Sequence, residues 1–168
     1  MIGIIGGGSW GSALAHVISQ KNKVMVYDND SSKVDHFNLT KECFFLPGYK
    51  LNGNVSFTRS MSDLDSCMYI FVVIPVKHIL STCKNLNSKL VFASKGLIEG
   101  KLISDFFPGS NFLYGPSHAE EVISGSETSV LVSGPDKTFI RDILNLEWFH
   151  VSTIDDHVSI EVASALKN

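Results

Sequence analysis

The chain has 168 residues, a formal net charge of −3 and 18% charged residues, which is below the roughly 25% usual for globular domains. This length corresponds to about one domain with a hydrophobic core of its own. The composition argues against a disordered tail, a collagen-like fibre and a coiled coil. The sequence has no basic run, which argues against nucleic-acid binding because that needs many phosphate contacts.

Hydropathy and cysteine content favour the cytoplasm. The longest apolar run, residues 68–76, is far shorter than the roughly 20 residues that span a bilayer, and Pro75 interrupts it. No basic stretch precedes an apolar one at the N-terminus, so no signal peptide is expected. Cys43, Cys67 and Cys83 form no CxxC pair and the six histidines are scattered, so we expect reduced thiols and no metal site.

Apolar runs and helical periodicities alternate along the chain. The first thirty residues predict a strand at 1–5, a helix at 9–20 and a strand at 23–27. Further strands are predicted at 55–58, 69–74, 89–93, 111–114, 129–132 and 148–151, further helices at 31–39, 60–66, 76–86, from 117 and at 136–144, and a loop at 40–54. This alternation predicts an α/β fold with a mainly parallel sheet that helices cover on both faces.

The last segment predicts a helix that stops without a terminator. Asp155 or Asp156 can cap it, and no glycine or proline follows its last turn. Its apolar residues on one face are Val158, Val162, Ala165 and Leu166. We therefore interpret the chain as part of a larger two-domain protein.

Gly6-Gly-Gly8-Ser-Trp-Gly11 forms a GxGxxG pattern between a predicted strand and a predicted helix. In this context the pattern is typical of a dinucleotide-binding turn, and a plain glycine turn is the alternative. Gly6 permits the tight turn, Gly8 lets the backbone approach a pyrophosphate, and Gly11 lets helix and strand pack closely. The sequence thus predicts a Rossmann-like, doubly wound domain whose helix N-terminus attracts phosphate.

Asp28 follows the second predicted strand, where an acid accepts hydrogen bonds from the adenosine ribose and repels a 2′-phosphate. No lysine or arginine occurs between Asp28 and Ser32, and Lys33 is the nearest cation. This pattern favours NAD over NADP. Capping of the next helix by Asp28 or Asp30 is the alternative, and both roles are compatible.

Two further polar sites follow predicted strands at the carboxyl edge of the sheet. Lys95 would place a cation at the mouth of the crevice, with a solvated loop lysine as the alternative. Ser117 and Glu120 have the spacing of a capping box, in which Ser117 bonds the third amide of the helix. A glycine and a capped helix start at this edge also suit a polar substrate.

Lys167 falls on the predicted helical face of Ile160, Ala163 and Ser164. A lysine among small residues loses hydration, which lowers its pKa toward the range that suits catalysis. The alternative is a last-turn lysine that faces water.

Six ordered motifs across nearly the whole chain resemble those of the bacterial-type NAD(P)-dependent glycerol-3-phosphate dehydrogenases. They are residues 6–15 for GAGSWGTALA, 46–48 for the loop motif LPG, 74–76 in place of VPS, 94–99 for SKGIE, 115–122 for GPSFAxEV and 161–168 for ExxGALKN. The chain departs from the family pattern at Gly7, Ser12, Val76, His118 and Ser164.

The resemblance implies roles for individual residues. The cofactor would contact Gly6, Gly8, Ser9, Trp10, Gly11, Asp28, Asn29, Lys95 and Ala119. The substrate would contact Lys95, Gly115, Ser117 and Lys167. Lys167 would be the proton donor and acceptor, and Lys95 would assist it. Asn29 stands where NADP-using relatives often have a basic residue, which again favours NAD.

The resemblance also implies an activity, the reversible reduction of dihydroxyacetone phosphate to sn-glycerol 3-phosphate for phospholipid synthesis. Residues 1–154 would form the dinucleotide-binding domain, and 155–168 would begin a truncated helical domain that carries further substrate contacts. We therefore expect this chain to bind NAD(H), to turn over poorly or not at all, and to associate as a homodimer. The alternatives are a dehydrogenase for 2-hydroxy acids or ketopantoate, and a nucleotide-binding module without catalysis.

Overall fold

The computed structural model describes residues 1–86 and 89–166. Its strands are β1 (Ile2–Ile5), β2 (Val24–Tyr27), β3 (Glu42–Cys43), β4 (Leu46–Lys50), β5 (Val55–Thr58), β6 (Tyr69–Val72), β7 (Lys89–Phe92), β8 (Asn111–Tyr114), β9 (Thr128–Ser133) and β10 (Phe149–Thr153). Its α-helices are α1 (Ser9–Ser19), α2 (Ser31–Thr40), α3 (Ile79–Cys83), α4 (Ile103–Phe106), α5 (Ala119–Ile123), α6 (Lys137–Leu144) and α7 (His157–Leu166). Short 3-10 helices occur at Met61–Leu64 and Val76–His78.

Eight of the described strands form one sheet in the order β10-β9-β8-β7-β6-β1-β2-β5. The neighbours from β5 to β8 are all parallel, and β9 runs antiparallel to β8. The predicted Rossmann-like, mainly parallel sheet is therefore confirmed. The chain passes from β1 to β2 on one side and returns to β6 on the other, so the strand order reverses beside β1. Ligands of such sheets bind outside the carboxyl ends of the strands at this reversal.

Helices cover both faces of the sheet because successive side chains of a strand point to opposite sides. Ile4 of β1 packs in one core with Leu14 of α1. The next residue, Ile5, packs in the other core with Ile79 of α3. Each buried side chain of this size contributes roughly 2 kcal/mol from apolar transfer. The glycine turn after β1 is thus fixed to a strand that is buried from both sides.

The predicted loop at 40–54 contains a hairpin. Strands β3 and β4 pair antiparallel, and Cys43 lies opposite Leu46 with both side chains buried. Pro47 and Gly48 argue against a strand in the sequence, but both are exposed residues of a two-stranded sheet, where proline is tolerated. The tip of the hairpin exposes Phe44 and Phe45.

One helix prediction needs correction, and one short helix was not predicted. The helix predicted at 76–86 begins as a 3-10 turn after Pro75 and ends as an α-helix at Cys83. Helix α4 was not predicted, because its single turn has too few residues to show a periodicity.

Helix α7 begins where the sequence predicted, and Asp156 caps it by accepting a hydrogen bond from the amide of Ser159 at 3.0 Å. It buries Ile160, Glu161 and Ser164. The apolar face that the sequence singled out is exposed, at Val158, Val162 and Leu166. The boundary at residue 154 stays a prediction. The described residues include no helix of sufficient length and apolarity for a membrane crossing.

Candidate functional site

The three glycines of the GxGxxG turn after β1 differ in the space that surrounds their Cα atoms. Gly6 has a φ of +108°, and a Cβ there would lie 2.6 Å from the carbonyl oxygen of Val73. A Cβ on Gly11 would lie 1.8 Å from the carbonyl oxygen of Gly6. A Cβ on Gly8 would meet no described atom within 4 Å. Gly6 and Gly11 are therefore required by the protein itself, whereas the space at Gly8 is open to a ligand.

Helix α1 starts directly at this turn. Gly8 is its N-cap residue and has no side chain to accept from the first amides. The first turn of an α-helix leaves its amide groups without intrahelical partners and carries a partial positive charge. The turn therefore presents backbone donors toward an anion. Ser9, the first helical residue, is half-buried beside it.

A cavity of about 480 Å³ opens at this turn, across the carboxyl ends of β1, β2 and β6. Its walls are formed by Ile5, Gly6, Gly8, Tyr27, Asp28, Asn29, Lys33, Val73, Ile74, Pro75, His78, Ser81 and Thr82. This is the crevice at the strand reversal that the fold predicts. We call it the β1–β6 cavity.

Asp28 lies in the wall of this cavity and is only 5% exposed. Its Oδ2 accepts a hydrogen bond from the amide of Gly7 at 2.7 Å, and its Oδ1 accepts one from the amide of Asp30 at 3.0 Å. Lys33 Nζ lies 3.2 Å from Oδ1. Asn29 is exposed and lines the same cavity. Capping of α2 belongs to Asp30, which accepts from the amide of Ser32, and not to Asp28.

Trp10 and Lys95, which are far apart in sequence, meet at the same edge of the sheet. Lys95 Nζ lies 5.6 Å from the centre of the Trp10 ring, within the range of a cation–π interaction. The indole Nε1 of Trp10 is buried and has no hydrogen-bond partner among residues 1–86 and 89–166. A buried indole N–H of this kind usually finds an acceptor. The pair therefore places a cation beside an indole N–H that has no acceptor in the described part of the chain.

Ser94 holds the segment that carries Lys95. Its hydroxyl is placed 2.6 Å from the carbonyl oxygen of Ile74 and 3.1 Å from that of Val72, and it donates to them. This contact ties the end of β7 to the end of β6. The sequence alone does not reveal this role of Ser94, because a serine after a strand is common and its partners lie at least twenty residues away.

A second cavity, of about 300 Å³, lies at the end of β8. It is formed by Tyr114, Gly115, Pro116, Leu131, Ile160, Ala163 and Ser164. A Cβ on Gly115 would lie 2.9 Å from the carbonyl oxygen of Ser129, so only glycine fits there. Burial, and then the Glu161 carboxylate, raises the pKa of the Tyr114 phenol, which stays protonated. We call this the β8–α7 cavity.

The predicted capping box at Ser117 is wrong. Helix α5 begins at Ala119, with His118 as its N-cap residue, so Ser117 lies outside the helix. The Ser117 hydroxyl is buried without a hydrogen-bond partner in the described part of the chain. Ala119 is buried at the start of the helix. A buried hydroxyl that caps nothing is available to an incoming polar group.

Lys167 lies outside the described residues. The helical face to which the sequence assigned it, with Ile160, Ala163 and Ser164, lines the β8–α7 cavity. On the same helix Glu161 is only 3% exposed, and its Oε2 accepts from the amide of Ser104 at 3.2 Å. Glu161 therefore ties α7 to the start of α4, a contact that the sequence did not predict.

Comparison with known proteins assigns the family. Residues 1–140 match the model of the NAD-dependent glycerol-3-phosphate dehydrogenase N-terminus. The chain belongs to this family. A glycerol-3-phosphate dehydrogenase [NAD(P)+] of Halothermothrix orenii is 32% identical over 186 aligned positions, which cover 99% of this chain and 54% of the relative. The corresponding protein of Carboxydothermus hydrogenoformans is 28% identical, over 98% of this chain and 56% of its own length.

Solved structures agree with this assignment. The crystal structure of glycerol-3-phosphate dehydrogenase from Coxiella burnetii superposes with a TM-score of 0.89 and 25% identity, over 97% of this chain and 56% of that one. The chain therefore spans about half the length of the relatives that it matches. The resemblance drawn from the six motifs is confirmed at the level of the family.

Proposed function

We propose that this chain is the cofactor-binding part of a glycerol-3-phosphate dehydrogenase and that it binds NAD(H) in the β1–β6 cavity. One observation carries the proposal. The space above Gly8 is open, although Gly6 and Gly11 on either side are packed against the backbone. A pyrophosphate fits such a turn because bare backbone amides can approach it closely. Asp28 at the end of β2 would then meet the adenosine ribose.

The described residues that the family resemblance names follow the ends of strands at one edge of the sheet or begin the helices there. Ser9, Trp10 and Lys95 would meet the nicotinamide half of the cofactor. Gly115 and Ser117 would hold dihydroxyacetone phosphate or sn-glycerol 3-phosphate, and the unpartnered Ser117 hydroxyl supports this role. Ala119, at the start of α5, would contact the cofactor. These roles stay proposals.

The chemistry follows from the charges at the site. Bound NADH would supply a hydride to C2 of dihydroxyacetone phosphate. Lys95 would stabilise the negative charge that develops on the carbonyl oxygen. Lys167 would donate the proton in this direction and accept it in the reverse one. Both lysines would need to be charged for reduction, and Lys167 neutral for oxidation.

Family membership favours glycerol 3-phosphate over 2-hydroxy acids or ketopantoate as the substrate class. One observation supports the alternative, a nucleotide-binding module without catalysis. The chain spans about half the length of its relatives. We infer that the chain alone binds the cofactor and turns over poorly.

Two further inferences concern the setting of the chain. The three cysteines are free and buried, which supports a reducing compartment such as the cytoplasm. The exposed apolar side chains of α7 support self-association of this chain, with a homodimer as the simplest form.

Titration with NADH tests the proposal through Trp10. In a Trp148→Phe variant Trp10 is the remaining tryptophan, and its fluorescence should change saturably as NADH is added. The matched Trp10→Phe variant should show a smaller change in Trp148 fluorescence, because Trp148 is not a proposed cofactor contact. If Trp10 fluorescence in the Trp148→Phe variant does not change with NADH, while circular dichroism shows an intact fold, the proposed cofactor site is wrong.

A further inference from the structure

Lys33 occupies a place in the β1–β6 cavity that its sequence position does not suggest. It lies five residues beyond Asp28, on the first turn of α2, and the helix brings its ammonium back over the end of β2. Its Nζ lies 3.2 Å from Oδ1 and 3.4 Å from Oδ2 of Asp28. Among the described residues that form the cavity, Lys33 is the only lysine or arginine.

The ammonium is held from two other directions. Its Nζ is 3.9 Å from Oδ2 of Asp30 and 5.3 Å from the centre of the Phe45 ring at the hairpin tip. The side chain is only 18% exposed. A lysine between a carboxylate and an aromatic face has a defined position, whereas a surface lysine samples many.

The Lys33 ammonium changes how the Asp28 carboxylate would interact with a phosphate on the ribose. Backbone amides of Gly7 and Asp30 already donate to its two oxygens, so the carboxylate itself is fixed. A fixed, buried carboxylate repels a phosphate placed on the ribose 2′-oxygen. An ammonium within 3.4 Å of both oxygens cancels much of that repulsion, and it has three N–H donors to share.

We propose that Lys33 determines which ribose the cavity accepts. Its ammonium pairs with Asp28 when the ribose carries a free 2′-hydroxyl, and it contacts the phosphate when the ribose carries a 2′-phosphate. The cavity therefore accepts NADPH as well as NADH, and the second acceptance depends on Lys33. The exposed amide of Asn29, in the same wall, supplies a further donor toward the phosphate. This proposal rests on the proposed cofactor site and specifies its ligand.

Lys33→Met tests it, because methionine keeps the unbranched stem and removes the charge. We expect the dissociation constant for NADPH to rise by about tenfold or more, since the ion pair with the phosphate is lost and no cation offsets the Asp28 carboxylate. The constant for NADH should change less than about threefold. Lys33→Arg keeps the charge and should retain NADPH binding, and the NADPH affinity of the wild type should fall more steeply with salt than the NADH affinity.

Lys23→Met is the matched control. It removes the same charge at the opposite end of β2, where Lys23 is exposed just before the strand. It should leave both dissociation constants unchanged. Circular dichroism and the melting temperature of each variant establish that the fold is retained.

The possible outcomes test the role of Lys33 and the existence of the cofactor site separately. Equal weakening of NADH and NADPH by Lys33→Met would show a purely structural ion pair and overturn the role of Lys33. Unchanged NADPH binding in that variant would overturn it as well. Failure of the wild type to bind NADH would remove the cofactor site itself, on which the role of Lys33 depends.

Discussion

At the turn after β1, one glycine is needed for the fold and another leaves space for a ligand. Gly11 is closed to any side chain by the carbonyl oxygen of Gly6, while Gly8 is open. Gly8 has a φ of −71°, which an alanine adopts without strain. The two positions can therefore be tested against each other within one motif.

Gly8→Ala should fold normally and lose cofactor affinity. We expect the free energy of unfolding to change by less than about 1 kcal/mol, because the new methyl group meets no protein atom. The dissociation constant for NADH should rise about tenfold or more, since the methyl group occupies the approach of the pyrophosphate. Chemical denaturation and NADH titration measure the two effects. Unchanged NADH affinity would contradict the assignment of this turn.

Gly11→Ala should behave in the opposite way and destabilise the fold itself. The added Cβ would lie 1.8 Å from a backbone oxygen, so strand and helix must separate. We expect a loss of about 3 kcal/mol or more in the free energy of unfolding. Denaturation with urea checks this, and a loss below about 1 kcal/mol would show that the turn can relax.

The cysteine thiols should be unreactive in the folded chain. Burial raises the pKa of Cys43 to about 11, despite a hydrogen bond with Ser12, and that of Cys83 to about 12. Since thiolate is the reactive form, its amount at pH 8 is lower by more than about 100-fold than for an ordinary thiol. Labelling with a disulfide reagent should accelerate on raising the pH and on unfolding. Rapid labelling of Cys83 at pH 8 in the folded state would contradict this.

At the scale of elements, the ends of β6 and β7 are joined by one side chain. The Ser94 hydroxyl donates to carbonyl oxygens of β6 and of the residues that follow it, and Lys95 comes next. The Ser94 contact therefore holds the strand end from which Lys95 extends toward Trp10.

Ser94→Ala should displace Lys95 and weaken cofactor binding. We expect a loss of about 0.5–1.5 kcal/mol in the free energy of unfolding, the usual net contribution of a hydrogen bond. The NADH dissociation constant should rise by a larger factor than stability alone explains, because Lys95 moves with the strand end. Ser152→Ala, at an exposed position of β10, is the control and should change neither quantity. Unaltered NADH binding in Ser94→Ala would show that Lys95 is placed independently.

At the scale of the molecule, the sheet is covered on both faces, yet α7 turns apolar side chains outward. Val158 is 46% exposed and Leu166 80%. The β8–α7 cavity, next to this helix, has mostly apolar walls. Exposed apolar surface of this kind favours contact with another chain.

Replacing Val158 and Val162 together by serine should reduce self-association. The double variant should sediment as a monomer at concentrations where the wild type associates, with its melting temperature little changed because both side chains are exposed. Leu39→Ser, at an exposed site on α2, is the control and should leave association unchanged. Equal association of wild type and double variant would place the contact elsewhere.

The sequence by itself determined the alternation of strands and helices, the glycine turn, and the acid at the end of β2. These features are local: the apolar period of a segment and the absence of a side chain at Gly6 and Gly8 are visible in a short window. The motif order also identified the family, because several spaced patterns occur together.

Only the tertiary structure decided which distant groups meet. It placed Lys33 beside Asp28, Lys95 beside Trp10 and the Ser94 hydroxyl at the end of β6, and it showed that Ser117 does not cap α5. The physical reason is that helix phase and strand register set the direction of each side chain, and both depend on packing across the whole sheet.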